Sequence, residues 1–167
     1  MIRNTVRALI IQDDKLLLIK KKRPNIGLYY VLPGGAQESN ETLEQALIRE
    51  CIEELGIEIS SSNLICVREY ISRNHEYSFI LKEVHTIDFI YECNIQFLNN
   101  ELRSLKADIG QVGIEWLPIN EIKKTIYEPE ESLESYKFPR TTYEFFKEYF
   151  SDQLIELYSG KIFESIP

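Results

Sequence analysis

Short apolar runs separated by polar turns dominate the first part of the chain and predict β-strands there. Residues 5–11 and 15–20 are rich in β-branched and aliphatic side chains, and they flank the acidic pair Asp13 and Asp14. This arrangement predicts a hairpin with a short acidic turn. Residues 29–32 predict a further short strand, which ends at a proline followed by two glycines.

The second half of the chain shows a similar pattern, which predicts three more strands at 64–71, 87–95 and 112–117. Residues 60–63 are polar and predict a turn, and residues 99–111 predict irregular structure. Residues 72–85 fit either an extension of two strands or a loop over a cleft.

Residues 42–55 carry helix start and stop signals. Thr42 and Gln45 form a capping box, so the helix is predicted to begin near Thr42. Gly56 is placed to end it, as a glycine after the last helical turn usually does. A helical wheel predicts one buried side made of Ile48, Cys51, Ile52 and Leu55.

Two further helices are predicted at 118–127, with Asn120 as the cap, and at about 139–158. The last of these carries an apolar stripe at helical spacing, formed by Tyr143, Phe146, Phe150, Leu154 and Leu157. The stripe is predicted to pack against the sheet, and a homodimer contact is the alternative. The elements together predict an α/β fold, a mixed β-sheet with helices on both faces.

Length and composition narrow the class of protein. The chain has 167 residues, which predicts a single domain over residues 1–167. Its net charge of −8 argues against a protein that binds large nucleic acids. The three cysteines form no CxxC pair, which indicates reduced thiols and a cytoplasmic location. No apolar stretch is long enough to span a membrane and no signal peptide is apparent, so no membrane partner is expected.

A cluster of acids on the first predicted helix indicates metal chemistry. Glu50, Glu53 and Glu54 stand at i, i+3 and i+4, which places them within an arc of about 100° on a helix. Like charges at this spacing destabilise an isolated helix. A cation is therefore expected to compensate, and clustered carboxylates are ligands that Mg²⁺ prefers.

From position 35 to position 57 the chain follows the pattern G-x5-E-x7-R-E-U-x-E-E-x-G-U, where U is an aliphatic residue. This segment resembles the signature of the Nudix hydrolases, and we call it the box. Two positions depart from the usual pattern. Cys51 replaces an aliphatic residue and can fill its place as a small hydrophobe. Asn40 replaces a glycine and tolerates the left-handed conformation better than most residues.

The resemblance implies an α/β/α sandwich that hydrolyses the diphosphate linkage of a nucleoside diphosphate joined to another group. It implies Mg²⁺ as cofactor, with Mn²⁺ as the alternative, and it assigns the metal ligands as Gly35, Glu50, Glu53 and Glu54. Glu38 is a peripheral candidate. The catalytic residues implied are Glu53 and Glu50, the latter as a metal ligand or as the general base. The base can also come from outside the box, where Asp108 is preferred over Glu115.

Other positions, inside the box and before it, are predicted to have binding or structural roles. The backbone of Gly34 is expected to approach the metal site and the substrate, since a glycine pair allows close passage. Arg23 is the preferred phosphate-binding residue of the basic stretch at positions 20–23, because a guanidinium forks onto phosphate oxygens. The box residues predicted to be structural are Glu41, Arg49 and Gly56, the first two as an ion pair.

The substrate class remains open in the sequence. No proline occurs between Pro33 and Pro118, so the proline associated with ADP-ribose pyrophosphatases is missing. The chain most resembles broad-range pyrophosphohydrolases of nucleoside triphosphates and modified nucleotides, with a small-molecule nucleotide as partner. The alternatives are a hydrolase of nucleotide sugars or other nonstandard diphosphates, and a nucleotide-sensing domain without turnover.

Several aromatic residues and histidines are ambiguous. The aromatic candidates either stack on a base or belong to the core, and they are Tyr29, Tyr30, Tyr77 and Phe79. His75 and His85 are interpreted as bystanders, because neither has a partner visible in the sequence.

Overall fold

The structure is a computed structural model that describes residues 1–71, 84–97, 101–129, 136–151 and 158–159. Its helices are α1 (Leu43–Leu55), α2 (Ile119–Tyr127) and α3 (Arg140–Tyr149). Its strands are β1 (Ile2–Leu9), β2 (Ile11–Gln12), β3 (Lys15–Arg23), β4 (Gly27–Val31), β5 (Gly34–Ala36), β6 (Ile57–Ile71), β7 (His85–Phe97), β8 (Gln111–Pro118) and β9 (Tyr158–Ser159). No helix in these ranges has the length and apolar character needed to cross a membrane.

The strands form two sheets. The first sheet has the order β5-β1-β7-β6-β9, in which β1 with β7 and β6 with β9 are parallel pairs and the other pairs are antiparallel. In the second sheet the central strand β3 pairs with β8 along one edge and with β2 and β4 along the other, all antiparallel. The predicted α/β fold with a mixed sheet is confirmed.

Two apolar layers hold the helices against the sheets. Helix α1 packs on one side through a cluster that includes Leu47, Cys51 and Leu55. Helices α2 and α3 pack on the other side through a second cluster that includes Ile122 and Phe146. The strands therefore lie between two helical layers, as in the predicted α/β/α sandwich.

The beginning of the chain divides between the two sheets. Asp13 and Asp14 form the predicted turn, both with positive φ, and β2 and β3 are the arms of the hairpin. The predicted strand at 5–11 is nevertheless split, because β1 pairs with β5 and β7 in the first sheet. Only Ile11 and Gln12 continue beside β3.

Two predicted turns are strands in the structure. Residues 60–63 lie inside β6. The side chain of Asn94, on β7, donates a hydrogen bond to Ser61 Oγ, on β6, at 2.9 Å. Register shifts between Ile59 and Ser61 let the polar stretch stay paired. Gly34–Ala36 forms β5 rather than an open turn, because it pairs with β1.

The helical predictions are confirmed except at their ends. Helix α2 begins at Ile119 with Pro118 as its N-cap, so Asn120 lies inside the first turn and is not the cap. Helix α3 ends at Tyr149 and Tyr158 belongs to β9, so the helix does not extend to position 158.

The side of α3 that was predicted to pack against the sheets does so. Phe146 is fully buried, with Tyr143 and Phe150 packed beside it, whereas Leu154 and Leu157 lie outside the described residues. Residues 101–110 contain no helix or strand, as predicted. Most of the ambiguous segment 72–85 lies outside the described residues.

Candidate active site

The box helix has the predicted caps. Thr42 Oγ1 accepts a hydrogen bond from the Gln45 backbone N–H at 3.2 Å, and Gln45 Oε1 accepts one from the Thr42 N–H at 2.7 Å. At the other end Gly56 adopts φ 68°, and its N–H donates to the Ile52 carbonyl at 3.0 Å. The glycine is required here, because a Cβ would lie 2.5 Å from the Arg103 carbonyl oxygen.

The buried side of α1 differs from the prediction. Its buried residues are Ala46, Leu47, Cys51, Glu54 and Leu55. Cys51 and Leu55 are buried as expected, but Ile48 is 40% exposed and Ile52 is only half-buried. The prediction for Ile48 is wrong because the helix contacts the sheets along the Leu47–Cys51–Leu55 row. That orientation also carries Glu54 into the interior.

Glu54 lies beneath the glycine loop, our name for Gly34 and Gly35. Its side chain accepts a hydrogen bond from the Gly34 N–H at 2.9 Å, and the residue is 3% exposed. Burial raises the pKa of Glu54 to about 7, although the Gly34 hydrogen bond acts in the opposite direction. Gly34 itself passes so close to β1 that a Cβ would lie 1.9 Å from the Val6 carbonyl oxygen.

Arg49 is the cation among the other box carboxylates. It binds Glu41 with two hydrogen bonds, Nη2 to Oε1 at 2.7 Å and Nε to Oε2 at 3.1 Å, so the predicted ion pair is present. Its Nη1 also contacts Glu50 Oε1 at 2.7 Å and Glu53 Oε2 at 3.7 Å. The Arg49 hydrogen bond lowers the pKa of Glu41, and Glu41 in turn raises the pKa of Arg49.

Glu50 and Gly35 share one confined space. A Cβ on Gly35 would lie 2.4 Å from Glu50 Oε1 and 2.7 Å from Oε2, so the glycine backbone forms a cradle for this carboxylate. Together with Glu53 and Glu54 it offers only oxygen donors, which fit a hard cation such as Mg²⁺. Among the residues that the structure describes, no group of three or more His, Cys, Asp or Glu side chains is close enough together to hold a metal ion. The metal-ligand assignment stays a prediction.

The segment before β8 is hydrogen bonded to the C-terminal end of α1. The N–H groups of Leu105 and Lys106 both donate to the Glu53 carbonyl at 2.8 Å. Gln111 Nε2 donates to the Glu54 carbonyl at 3.1 Å, and Gln111 Oε1 accepts from the Asp108 N–H at 3.1 Å. This segment therefore fixes the preferred base candidate Asp108 beside the box helix.

The two base candidates have different environments. Asp108 is ion-paired with Lys21, and although burial acts to raise the pKa of Asp108, the lysine holds it below its ordinary value. Glu115 is bonded to Lys20 Nζ at 2.8 Å and to the Tyr30 hydroxyl at 2.9 Å. The Lys20 hydrogen bond lowers the pKa of Glu115.

A cleft of about 440 Å³ opens beside the glycine loop. The predicted site residues in its lining are Arg23, Gly34, Gly35 and Asp108, and Tyr29 lies there too. Glu115 is not part of the lining. The cationic lining residues are Arg3, Arg7, Lys21, Arg23 and Arg68, and the acidic ones are Glu69, Asp88 and Asp108. This local excess of cations contrasts with the net charge of −8 of the chain.

The remaining predicted residues lie elsewhere. Tyr30 is a core residue, Glu38 contributes a backbone N–H to Glu41 Oε1 at 2.6 Å, and His85 has a partner in Glu69 at 2.5 Å. His75, Tyr77 and Phe79 lie outside the described residues.

Sequence reasoning missed the polar floor of the cleft. Its clearest signal was in β1, where the polar residues Arg3, Thr5 and Arg7 alternate with other positions that include the buried Val6 and Ala8. Such alternation places the polar set on one face of the sheet. Asp88 on β7 gave no comparable signal.

Comparison with known proteins defines the class. A model of the NUDIX domain matches residues 1–137. The chain therefore belongs to the Nudix family, and it is a hydrolase of the pyrophosphohydrolase class, as predicted.

Two relatives illustrate the range of names within this class. An ADP-ribose pyrophosphatase of Methanocaldococcus jannaschii is 29% identical over 131 residues, covering 78% of this chain and 70% of that protein. An 8-oxo-dGTP diphosphatase of Proteus vulgaris is 38% identical over 81 residues, covering 46% of this chain and 72% of that protein.

A comparison with solved structures also finds a member of this family. The crystal structure of a MutT NUDIX hydrolase from Burkholderia pseudomallei has a TM-score of 0.58 and 28% identity, covering 72% of this chain and 85% of that chain. The MutT protein of Bacillus halodurans has a TM-score of 0.63 at 19% identity, covering 91% of this chain and 85% of that chain, and at that identity it supports the fold alone.

Proposed function

We propose that the chain is a divalent-metal-dependent pyrophosphohydrolase of nucleoside triphosphates or modified nucleotides. The observation that carries the proposal is the position of the box beside a cationic cleft. Glu50 lies against Gly35, and Gly35 lines the same cleft as Arg7 and Lys21. A polyanion is attracted to such a cleft, and a diphosphate bound at Gly35 would lie next to Glu50, which is not itself part of the cleft lining.

The box residues would hold the metal. Mg²⁺, or Mn²⁺, fits the carboxylates of Glu50, Glu53 and Glu54 and the Gly35 carbonyl by donor type. When bound, the cation supplies charge neutralisation at the phosphate oxygens and promotes ionisation of water. Arg49 holds Glu41 and Glu50 in place, and the carboxylates of Glu50, Glu53 and Glu54 would have to move closer together to bind the metal.

The cleft residues bind substrate and accept a proton. Arg23 holds the diphosphate, which lies against Gly34. The Gly34 N–H already donates to Glu54 and its carbonyl already accepts from Arg7, so this glycine allows close approach and supplies no hydrogen bond to the phosphate. Asp108 acts as the general base, because it lines the same cleft as the glycine loop and is ionised at neutral pH. Although burial acts to raise the pKa of Asp108, the Lys21 ion pair lowers it and makes Asp108 a weaker base, so Lys21 has to move away from it during turnover.

A nucleotide sugar or other nonstandard diphosphate is the second candidate substrate. It is supported by the relative named ADP-ribose pyrophosphatase, whose similarity covers more of this chain than that of the relative named 8-oxo-dGTP diphosphatase. The cytoplasmic location and the homodimer stay predictions. The three buried free cysteines are consistent with the former.

A substrate panel tests the proposal. Purified protein is assayed with nucleoside di- and triphosphates, oxidised nucleotides, nucleotide sugars and dinucleotides, with Mg²⁺ or Mn²⁺ and with a chelator as control. Turnover of a nucleoside triphosphate that the chelator abolishes is expected. Absence of turnover on every compound, with tight metal-independent binding of one of them, would instead identify a nucleotide sensor.

A further inference from the structure

Strand pairing lays out the floor of the cleft in rows. Partners in adjacent strands point to the same face of a sheet. One row runs across four strands through Ala36, Thr5, Asp88 and Arg68. The row nearest the glycine loop contains Gly34, Arg7 and Ile90. The two rows are two residues apart along β1, which is about 6.7 Å.

Asp88 is an anionic group between the arginines of this floor, Arg7 in the next row and Arg68 in the same row. Its side chain is 21% exposed and lines the cleft. Its Oδ1 accepts a hydrogen bond from the Thr5 hydroxyl and lies 3.5 Å from Arg7 Nε. Within the part of the chain that the structure describes, no donor contacts Oδ2. The carboxylate is therefore held by one oxygen and presents the other to the cleft.

Arg7 contacts both Asp88 and the glycine loop. Its Nη1 donates to the Gly34 carbonyl at 3.3 Å while its Nε faces Asp88. One guanidinium head group thus spans the gap between the two. A ligand whose diphosphate lies at the glycine loop, and which extends along the floor of the cleft from there, brings its next chemical group to Asp88.

The charge of Asp88 decides what that group can be. A carboxylate repels phosphate, so a ligand group at Oδ2 must be a hydrogen-bond donor. In a nucleotide the group next to the diphosphate is the ribose, and the base lies beyond it. Carboxylates hydrogen-bond ribose hydroxyls in other nucleotide sites.

We propose that Asp88 is a specificity-determining residue that binds a ribose hydroxyl, and that the site prefers ribonucleotides over deoxyribonucleotides. The inference rests on the proposed nucleotide hydrolysis and deepens it. Thr5 and Arg7 orient the carboxylate, and its free oxygen loses its partner when the hydroxyl is absent. The loss of one hydrogen bond to a charged group lowers the affinity for the analogue.

The experiment compares matched nucleotides on the wild type and two variants. kcat/KM is measured for ATP, 2′-deoxy-ATP and 3′-deoxy-ATP, and for GTP and 2′-deoxy-GTP. The dissociation constants of ADP and its two deoxy forms are measured by calorimetry. The variants are Asp88→Asn and, as a matched control on the same strand, the exposed Glu92→Gln.

The wild type is expected to prefer ATP over at least one deoxy form by about tenfold or more, the loss associated with one hydrogen bond to a charged group. Asp88→Asn should remove most of this preference, and Glu92→Gln should keep it. If Asp88→Asn does not fold, equal kcat/KM of the wild type for ATP and both of its deoxy forms still overturns the proposal.

The outcomes separate the two proposals. Turnover with equal kcat/KM for ribose and deoxyribose forms overturns the assignment of Asp88 and leaves the proposed hydrolysis standing. A preference for one base at equal sugar selectivity also overturns it, since the donor would then be on the base. No turnover, with tighter binding of ADP than of its deoxy forms, supports Asp88 and overturns the hydrolysis.

Discussion

The Gly34 backbone N–H donates to Glu54 Oε2 at 2.9 Å, which joins the glycine loop to the box helix. The carboxyl group that accepts this bond is buried, and burial raises its pKa to about 7. Glu54 therefore changes its charge near neutral pH, directly beneath the loop that is proposed to bind diphosphate.

Glu54 predicts a pH dependence of stability in the absence of divalent cations. Its pKa rises from an ordinary 4.5 to about 7 on folding, so the folded state binds the proton more tightly. The proton on Glu54 therefore stabilises the folded state, and this contribution to the free energy of unfolding is complete below pH 4.5 and is lost as the pH rises through 7. Its upper limit is about 3 kcal/mol. Glu54→Gln should flatten this part of the profile.

Urea unfolding between pH 5 and pH 8 measures the Glu54 effect, with a chelator present throughout. Glu58→Gln is the matched control, because Glu58 is exposed on β6. Parallel pH profiles for the wild type and Glu54→Gln would contradict the assigned pKa.

Glu53→Gln tests the proposed metal site by removing one anionic oxygen at almost constant shape. Activity should fall about a hundredfold or more, because a metal ligand contributes several kcal/mol to catalysis. Stability should change by less than about 0.5 kcal/mol, since the ion pairs of Glu53 with Arg49 and Lys106 are long, at 3.7 and 3.9 Å. Full activity would exclude Glu53 as an essential ligand. The exposed Glu44 of the same helix supplies the control Glu44→Gln.

We predict different effects on activity and stability for alanine substitutions at the two glycines of the loop. In Gly35→Ala the new Cβ meets the far end of the flexible Glu50 side chain, so the carboxylate moves and the fold is kept. In Gly34→Ala the Cβ meets the rigid Val6 carbonyl, and φ is 141°. We expect loss of activity with nearly normal melting for the first. For the second we expect destabilisation of about 3 kcal/mol or more. Equal melting temperatures for the two variants would contradict this assignment.

Local sequence signals predicted the box helix well and its surroundings less well. Thr42 and Gly56 act within one turn of the helix, so their roles follow from neighbouring residues alone. The burial of Glu54 depends on which side of α1 meets the sheets, which a helical wheel does not specify. The approach of Asp88 to Arg7 depends on the parallel pairing of β1 with β7, between positions far apart in the chain.

Residues 60–63 show the same limit in a strand. Their polar composition is typical of a turn, but residues 61–63 pair with β7 inside β6. Tertiary pairing overrides local preference at such positions.

Gln111 connects the base candidate to the box, and this gives the last prediction. Its side chain bridges the Asp108 N–H and the Glu54 carbonyl, each at 3.1 Å. Gln111→Glu loses the donor to Glu54 and adds a negative charge beside Asp108, which raises the pKa of that carboxyl group. Since a base must be ionised, the acid limb of the kcat/KM profile should move to higher pH. The exposed Gln96 provides the control Gln96→Glu. An unshifted acid limb, in a variant that folds normally, would contradict the assignment of Asp108 as the base.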